Sequence, residues 1–207
     1  ATTIPTGPIL FLDPSVVGFL MHQCHDEEDL ADFARGCRSF KGIQHLVVPI
    51  NDTLTSTTLW TIPGAGSHWS CLLLALATTR HPSGNRQITS CPQGDPQLLM
   101  EGYHFDSVTS SGNIHTARTV ARKIGIALST TLATDPPSPL TNWSIKVLPS
   151  STPAQVNGYD CGVHAIVTAQ VIANTLGDFA ANTATVSDSS QTATLVEAEL
   201  EKRLSTS

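Results

Sequence analysis

An α+β domain is the fold class this sequence predicts, and three observations carry it. Apolar runs of strand length occur at His45–Ile50, His68–Leu76, Gly102–Phe105 and Trp143–Leu148. Helical apolar spacing begins at Pro14, recurs over Ile114–Leu132 and returns from Cys161. The two kinds of segment do not alternate regularly, as a parallel βαβ sheet would require. The chain has 207 residues, 40% of them hydrophobic, enough for one substantial core, and 1–207 reads as a single domain.

In order, residues 1–9 hold Pro5, Gly7 and Pro8 and read as an extended arm. A helix starts at Pro14, with Asp13 as its cap and Val16, Val17, Phe19 and Leu20 as its apolar face. A second short helix runs from Asp26 to Arg35, its acidic start suiting the positive end of a helix dipole. Pro49 marks His45–Ile50 as an edge or a strand end. Residues 51–66 read as a polar loop. His68–Leu76 is a buried strand, and 78–99, with Pro82, Gly84, Pro92, Gly94 and Pro96, an exposed insertion. The strand Gly102–Phe105 delivers Asp106. Ala117, Val120, Ala121, Ile124 and Leu128 share one helix face, and Pro136, Pro137 and Pro139 end that helix. The segment Cys161–Leu176 is apolar on nearly all sides and therefore central. Residues 178–207 form a tail, loose to about 192 and helical over Thr194–Leu204.

The net charge is −6, with 11 lysines and arginines and no basic patch, so nucleic acid and anionic membrane are poor partners. The five cysteines are odd in number and contain no Cys-x-x-Cys pair, which argues against a disulfide framework and a structural zinc site. His22, Cys24 and His25 lack a second ligand pair and read as helix-end and loop residues, and no metal or cofactor is expected. The first basic residue is Arg35, so no secretory signal is recognisable, and the longest apolar run, Cys71–Ala77, is too short to span a bilayer. The expectation is a soluble monomer of the cytosol or nucleus.

The stretch with the most chemical content is Gln155-Val156-Asn157-Gly158-Tyr159-Asp160-Cys161-Gly162. A polar loop delivers a lone cysteine to the start of a helix, where the dipole and unpaired N–H groups favour a thiolate. Asp160 suits a cap for that helix, and Asn157 and Tyr159 a loop-shaping role. A thiolate nucleophile wants an imidazole partner, and His68 opens a buried strand. Asp106 ends another strand and can orient that imidazole, while the Gln155 amide and the Cys161 backbone N–H can stabilise an oxyanion. Taken singly, each has a structural alternative: a small buried hydrophobe, a strand-end histidine, a turn cap, a surface amide.

Their joint order resembles the ubiquitin-like-protein-specific cysteine proteases of the sentrin/SUMO-protease type, most closely the deneddylase branch. The resemblance rests on Val48-Pro49-Ile50-Asn51-Asp52, His68-Trp69-Ser70, His104-Phe105-Asp106-Ser107 with Ile114-His115-Thr116-Ala117, and Pro153–Gly162. It covers Ile9–Leu176. It implies a papain-like domain whose central helix, carrying the nucleophile, packs on a mixed sheet. It implies Cys161 as nucleophile, His68 as base, Asp106 as its orienting acid and Gln155 in the oxyanion hole. Trp69 matches the tryptophan that covers the channel for the modifier's terminal Gly-Gly. The family's Trp-Leu-Asn/Asp-Asp segment maps onto Phe11-Leu12-Asp13-Pro14, making Phe11 and Asp13 substrate-binding candidates, with Phe11 in place of Trp and Pro14 in place of an acid. His68 and Asp106 lie 38 positions apart, a long spacing that the 78–99 insertion accounts for. The implied partner is a ubiquitin-like modifier, NEDD-type (Rub) before SUMO. The alternatives are a modifier-binding protein without turnover, and an acyltransferase, for which the low basic content offers little to hold an acyl-CoA.

Overall fold

In a computed structural model, the described residues are 9–36, 43–56, 68–79, 97–108, 111–131, 143–157, 159–181 and 189–204. Five strands form one mixed sheet in the order β1 (Ile9–Phe11), β2 (His45–Asn51), β3 (Trp69–Thr79), β4 (Gln97–Phe105) and β5 (Trp143–Ser150). The two outer pairs, β1/β2 and β4/β5, are parallel, and the two inner pairs are antiparallel.

Because strand side chains alternate between faces, these strands serve two cores. Leu46, Val48, Ile50, Leu72, Leu74, Met100 and Val147 point to one face, covered by α1 (Pro14–His22), α2 (Glu27–Gly36) and α3 (Asn113–Thr131). Val47, Cys71, Leu73, Tyr103 and Phe105 point to the other, covered by α4 (Cys161–Ala181) and α5 (Ser189–Leu204). At Gly102 an added Cβ would lie 2.8 Å from Leu74 Cδ2 and 3.0 Å from Val147 Cγ2 on the two neighbouring strands, so a larger residue there would displace those side chains.

Asp13 caps α1 through a 2.8 Å bond from Ser15 N, with Pro14 at the first helical position. At the other end of α1, Lys123 Nζ donates to the carbonyls of Leu20 (3.0 Å), Met21 (3.0 Å) and Cys24 (2.6 Å). A cation there offsets the negative end of the helix dipole. Cys24 is therefore a buried residue of a helix terminus, and His25 N is bound to Asp29.

Pro49 is tolerated within β2 for a geometric reason. Asp52 N donates to His68 O, so even-numbered residues of β2 exchange bonds with β3 and Pro49 turns its nitrogen away. On that side β1 has already ended opposite Val47. The apolar face expected on α3 is the buried one: Ala117, Val120, Ala121, Ile124 and Leu128.

Several expectations change. Of the polar loop expected over 51–66, Asn51 ends β2 and Asp52–Thr55 form a short 3-10 helix that buries Thr53 and Leu54. The arm expected over 1–9 ends in a strand: β1 covers Ile9–Phe11, while 1–8 lie outside the described residues. The insertion expected over 78–99 is strand at both ends, because β3 and β4 stay paired out to Thr79 and Gln97; 80–96 lie outside the described residues. β4 is correspondingly longer than Gly102–Phe105, since cross-strand pairing extends a strand that local composition does not mark. The tail is not loose over all of 178–192. Helix α4 continues to Ala181, 182–188 lie outside the described residues, and α5 starts at Ser189 and buries Ala193, Val196 and Leu200 in the second core.

The helix carrying Cys161 packs on the mixed sheet as expected, over the middle strand β3. It is not enclosed, however: Val163 is 57% and Ile166 70% exposed. An apolar sequence on all sides does not by itself say that all sides are covered.

Candidate active site

His68 precedes β3 and Asp106 follows β4, and antiparallel pairing brings these two strand ends side by side. His68 Nε2 lies 2.6 Å from Asp106 Oδ1. Asp106 is held by two further donors: Val108 N to Oδ1 at 2.9 Å, and the Ser111 hydroxyl to Oδ2. Three hydrogen-bond partners occupy the carboxylate and fix its plane. Engagement of Nε2 leaves Nδ1 as the ring's second polar atom.

Cys161 opens α4, and His164 N donates to Asp160 O at 2.9 Å, which makes Asp160 the residue from which the helix starts. The Asp160 carboxylate itself is bound by Asn157 Nδ2, and Asn157 Oδ1 accepts from Tyr159 N (3.1 Å) and Asp160 N (2.9 Å). Asn157 thus shapes the loop, whereas Tyr159 is 81% exposed. Gly158 lies outside the described residues.

Gln155 is tied to the segment that carries Asp106. Gln155 N donates to Ser107 O at 3.3 Å, and the Ser107 hydroxyl donates to Gln155 Oε1 at 2.9 Å. That second bond sets the orientation of the amide, so its nitrogen is the donor end. Nε2 gives one hydrogen to Asn157 O at 2.6 Å, and a primary amide has a second.

The first turn of α4 meets the start of β3 at Gly162, where a Cβ would lie 4.0 Å from Trp69 Cδ1. The neighbours of Cys161 and His68 therefore face each other. Next to them is an apolar cleft of about 410 Å³ whose walls include Phe11, Pro14, Pro49, Trp69, Gly162 and Ile166. Phe11 and Trp69 thus share one cleft. Asp13 is absent from its lining, and its carboxylate is turned onto Ser15. Cys161 is 5% exposed and His68 8%, so both are buried beside the cleft.

The sequence reading assigned no part to Ser107, Ser111, Asn113 or His104. Ser107 could have been singled out, because it sits in the His-Phe-Asp-Ser motif itself. Ser111 and Asn113 make contacts that depend on how the start of α3 docks against β3, and His104 meets Ser70 across the β3–β4 pair.

A family model described as the Ulp1 protease family, C-terminal catalytic domain, matches residues 22–191. Among solved structures, the chain is similar to the Xanthomonas campestris effector protein XopD bound to ubiquitin, at 19% identity and a TM-score of 0.46, covering 82% of this chain and 63% of that one. It is also similar to a de-sumoylating protease, at 15% identity and a TM-score of 0.47, covering 94% of this chain and 63% of that one. The chain thus spans 63% of the length of each. None of the curated proteins matches it.

Proposed function

The chain belongs to the Ulp1 protease family, and from that premise we propose that it is a cysteine isopeptidase and C-terminal hydrolase acting after the terminal Gly-Gly of a ubiquitin-like modifier. The observation that carries this reading is the His68–Asp106 pair at 2.6 Å, beside the helix start that bears Cys161. The Cys161 thiolate attacks the glycine carbonyl carbon. The isopeptide C–N bond breaks as the His68 imidazolium gives its proton to the leaving lysine amine, and a thioester remains. Water then attacks the thioester carbonyl as His68 accepts one of its protons. The C–S bond breaks to return the Cys161 thiolate, and the modifier leaves as a carboxylic acid that ionises to solvent. Asp106 holds the imidazole through Nε2, which leaves Nδ1 for this proton traffic. The second hydrogen of Gln155 Nε2 stabilises the oxyanion.

The burial of Cys161 and His68 suits a diglycine tail, which has no side chain at either position. Trp69 and Phe11 cover the apolar path beside it. Among modifiers, the NEDD type is favoured by the Val48–Asp52 and Pro153–Gly162 stretches, with SUMO as the alternative. The test is covalent capture by propargyl or vinyl-sulfone probes built on NEDD-type, SUMO and ubiquitin modifiers. The expected result is fastest capture of the NEDD-type probe, on Cys161. Capture of the SUMO probe alone would remove the deneddylase assignment, and no capture by a folded chain would remove the hydrolase reading.

A further inference from the structure

We propose that Asn113, the first residue of α3, is a positioning residue that locks the His68 strand and the Asp106 loop into one frame, an inference that rests on the roles given to His68 and Asp106 above. The residue is 1% exposed and bonded in two directions. Its side-chain nitrogen donates to Ser70 Oγ at 3.1 Å and reaches His68 O at 3.5 Å. Its backbone N–H donates to Ser111 Oγ at 3.1 Å, and the Ser111 hydroxyl in turn donates to Asp106 Oδ2. One side chain and one peptide group therefore connect both members of the pair, independently of their own 2.6 Å bond.

The direction of these bonds specifies an asparagine. Ser70 Oγ also lies 2.9 Å from His104 Nε2. Burial pushes the His104 pKa down to about 4, against the upward pull of Asp106, so the ring is neutral at physiological pH. Ser70 Oγ has two lone pairs, so it accepts from the Asn113 amide and pairs with His104 Nε2 in the direction set by that ring's tautomer. The His68 carbonyl can only accept, so the Asn113 atom facing it must donate, and an aspartate at 113 would set an oxygen against it. Ser70 and His104 are both buried, so water cannot replace the missing bond. The turn that lets Ser111 face both Asp106 and Asn113 N passes through Gly112 at φ +76°, a left-handed conformation suited to glycine. The arrangement matters because a displacement of about 1 Å in a catalytic group can cost about a hundredfold in rate.

The test compares Asn113→Ala and Asn113→Asp with the unaltered chain in two assays. The first is turnover of a modifier–fluorophore conjugate. The second is the rate of Cys161 alkylation by iodoacetamide at pH 7, read by mass spectrometry of the Cys161 peptide. Both variants are expected to lower kcat about tenfold or more with KM within about twofold. In a His68→Ala background, Asn113→Ala is expected to change the alkylation rate by less than about twofold, because its effect passes through His68. An equal loss in both backgrounds would mark a merely structural residue and overturn the proposal, as would a kcat within about twofold of the unaltered chain. Where Asn113→Ala fails to fold, Ser111→Ala replaces it. That change cuts only the branch to Asp106 and is expected to lower kcat about threefold or more with thermal stability retained; no loss overturns that link. Alkylation uses no modifier, so it decides the role of Asn113 even where the probes reject the proposed substrate.

Discussion

The two faces of the sheet are built to different ends. On the face of α1, α2 and α3, apolar side chains from four strands meet helices that bury their own apolar stripes, and Lys123 seals the end of α1. On the face of α4 and α5 the core is smaller, and α4 leaves Val163 and Ile166 exposed beside an apolar cleft. The polar groups differ in the same sense. Lys123 gives its hydrogens to backbone carbonyls at the end of α1, whereas Gln155 and Asn157 hold side-chain and loop atoms ahead of α4. Asp106 stands between the two, held through Ser111 and Asn113 from the side of α3. Both faces bury a core, and the face of α4 in addition leaves an apolar flank open beside the cleft.

The sharpest break in this comparison is Cys161→Ala. It is expected to lower turnover by a factor on the order of 10⁴ or more while leaving thermal unfolding nearly unchanged. A variant that still cleaves would overturn the mechanism. On the opposite face, Leu20→Ala removes a fully buried side chain and is expected to cost about 2–5 kcal/mol. Chemical denaturation measures that loss, and kcat per folded molecule at low temperature should stay the same; a drop in kcat would show that the faces are coupled.

Acid probes both faces through His45 and His104. Burial holds each ring's pKa down at about 4, below the ordinary 6.5. Between those values the unfolded chain binds more protons than the folded one. Stability is therefore complete above about 6.5 and is lost as pH falls towards 4, each ring contributing on the order of 3 kcal/mol. His45 Nδ1 is buried without a hydrogen-bond partner among the described residues, so His45→Leu should flatten the profile over that window. A profile unchanged by this substitution would assign the acid loss to other groups.

Smaller effects fall on the cleft. Ile166→Asp places a charge on an exposed wall residue and is expected to slow modifier-probe capture about tenfold, or about 1.4 kcal/mol, with unfolding unchanged. Normal capture would take the cleft out of tail binding. Asp13→Ser keeps an acceptor for Ser15 N and is expected to change neither stability nor capture. A clear loss of capture would make Asp13 a modifier contact as well as a cap.

The local pattern of this chain made most of the helices legible. Asp13-Pro14 announced α1, and the 3-and-4 spacing of Ala117 to Leu128 announced the buried face of α3. Strand lengths were less legible, because Gln97–Leu99 become strand only through pairing with Ala77–Thr79. Of the site, His68, Asp106, Gln155 and Cys161 could be named because motifs keep chemistry-bearing residues in recognisable neighbourhoods. Ser111, Asn113 and Ser70 could not be linked, since their bonds join positions up to 43 residues apart.

The sequence by itself determined the α+β class, the helix that begins at Cys161, and the residue types available for thiol chemistry. These depend on periodicity, caps and motif order, which are local. The tertiary structure decided that His68 meets Asp106 through Nε2, that Ser107 holds the Gln155 amide with its nitrogen on Asn157 O, and that α4 keeps one apolar flank open. Those outcomes depend on strand register and on which faces meet, and neither is encoded within any one segment.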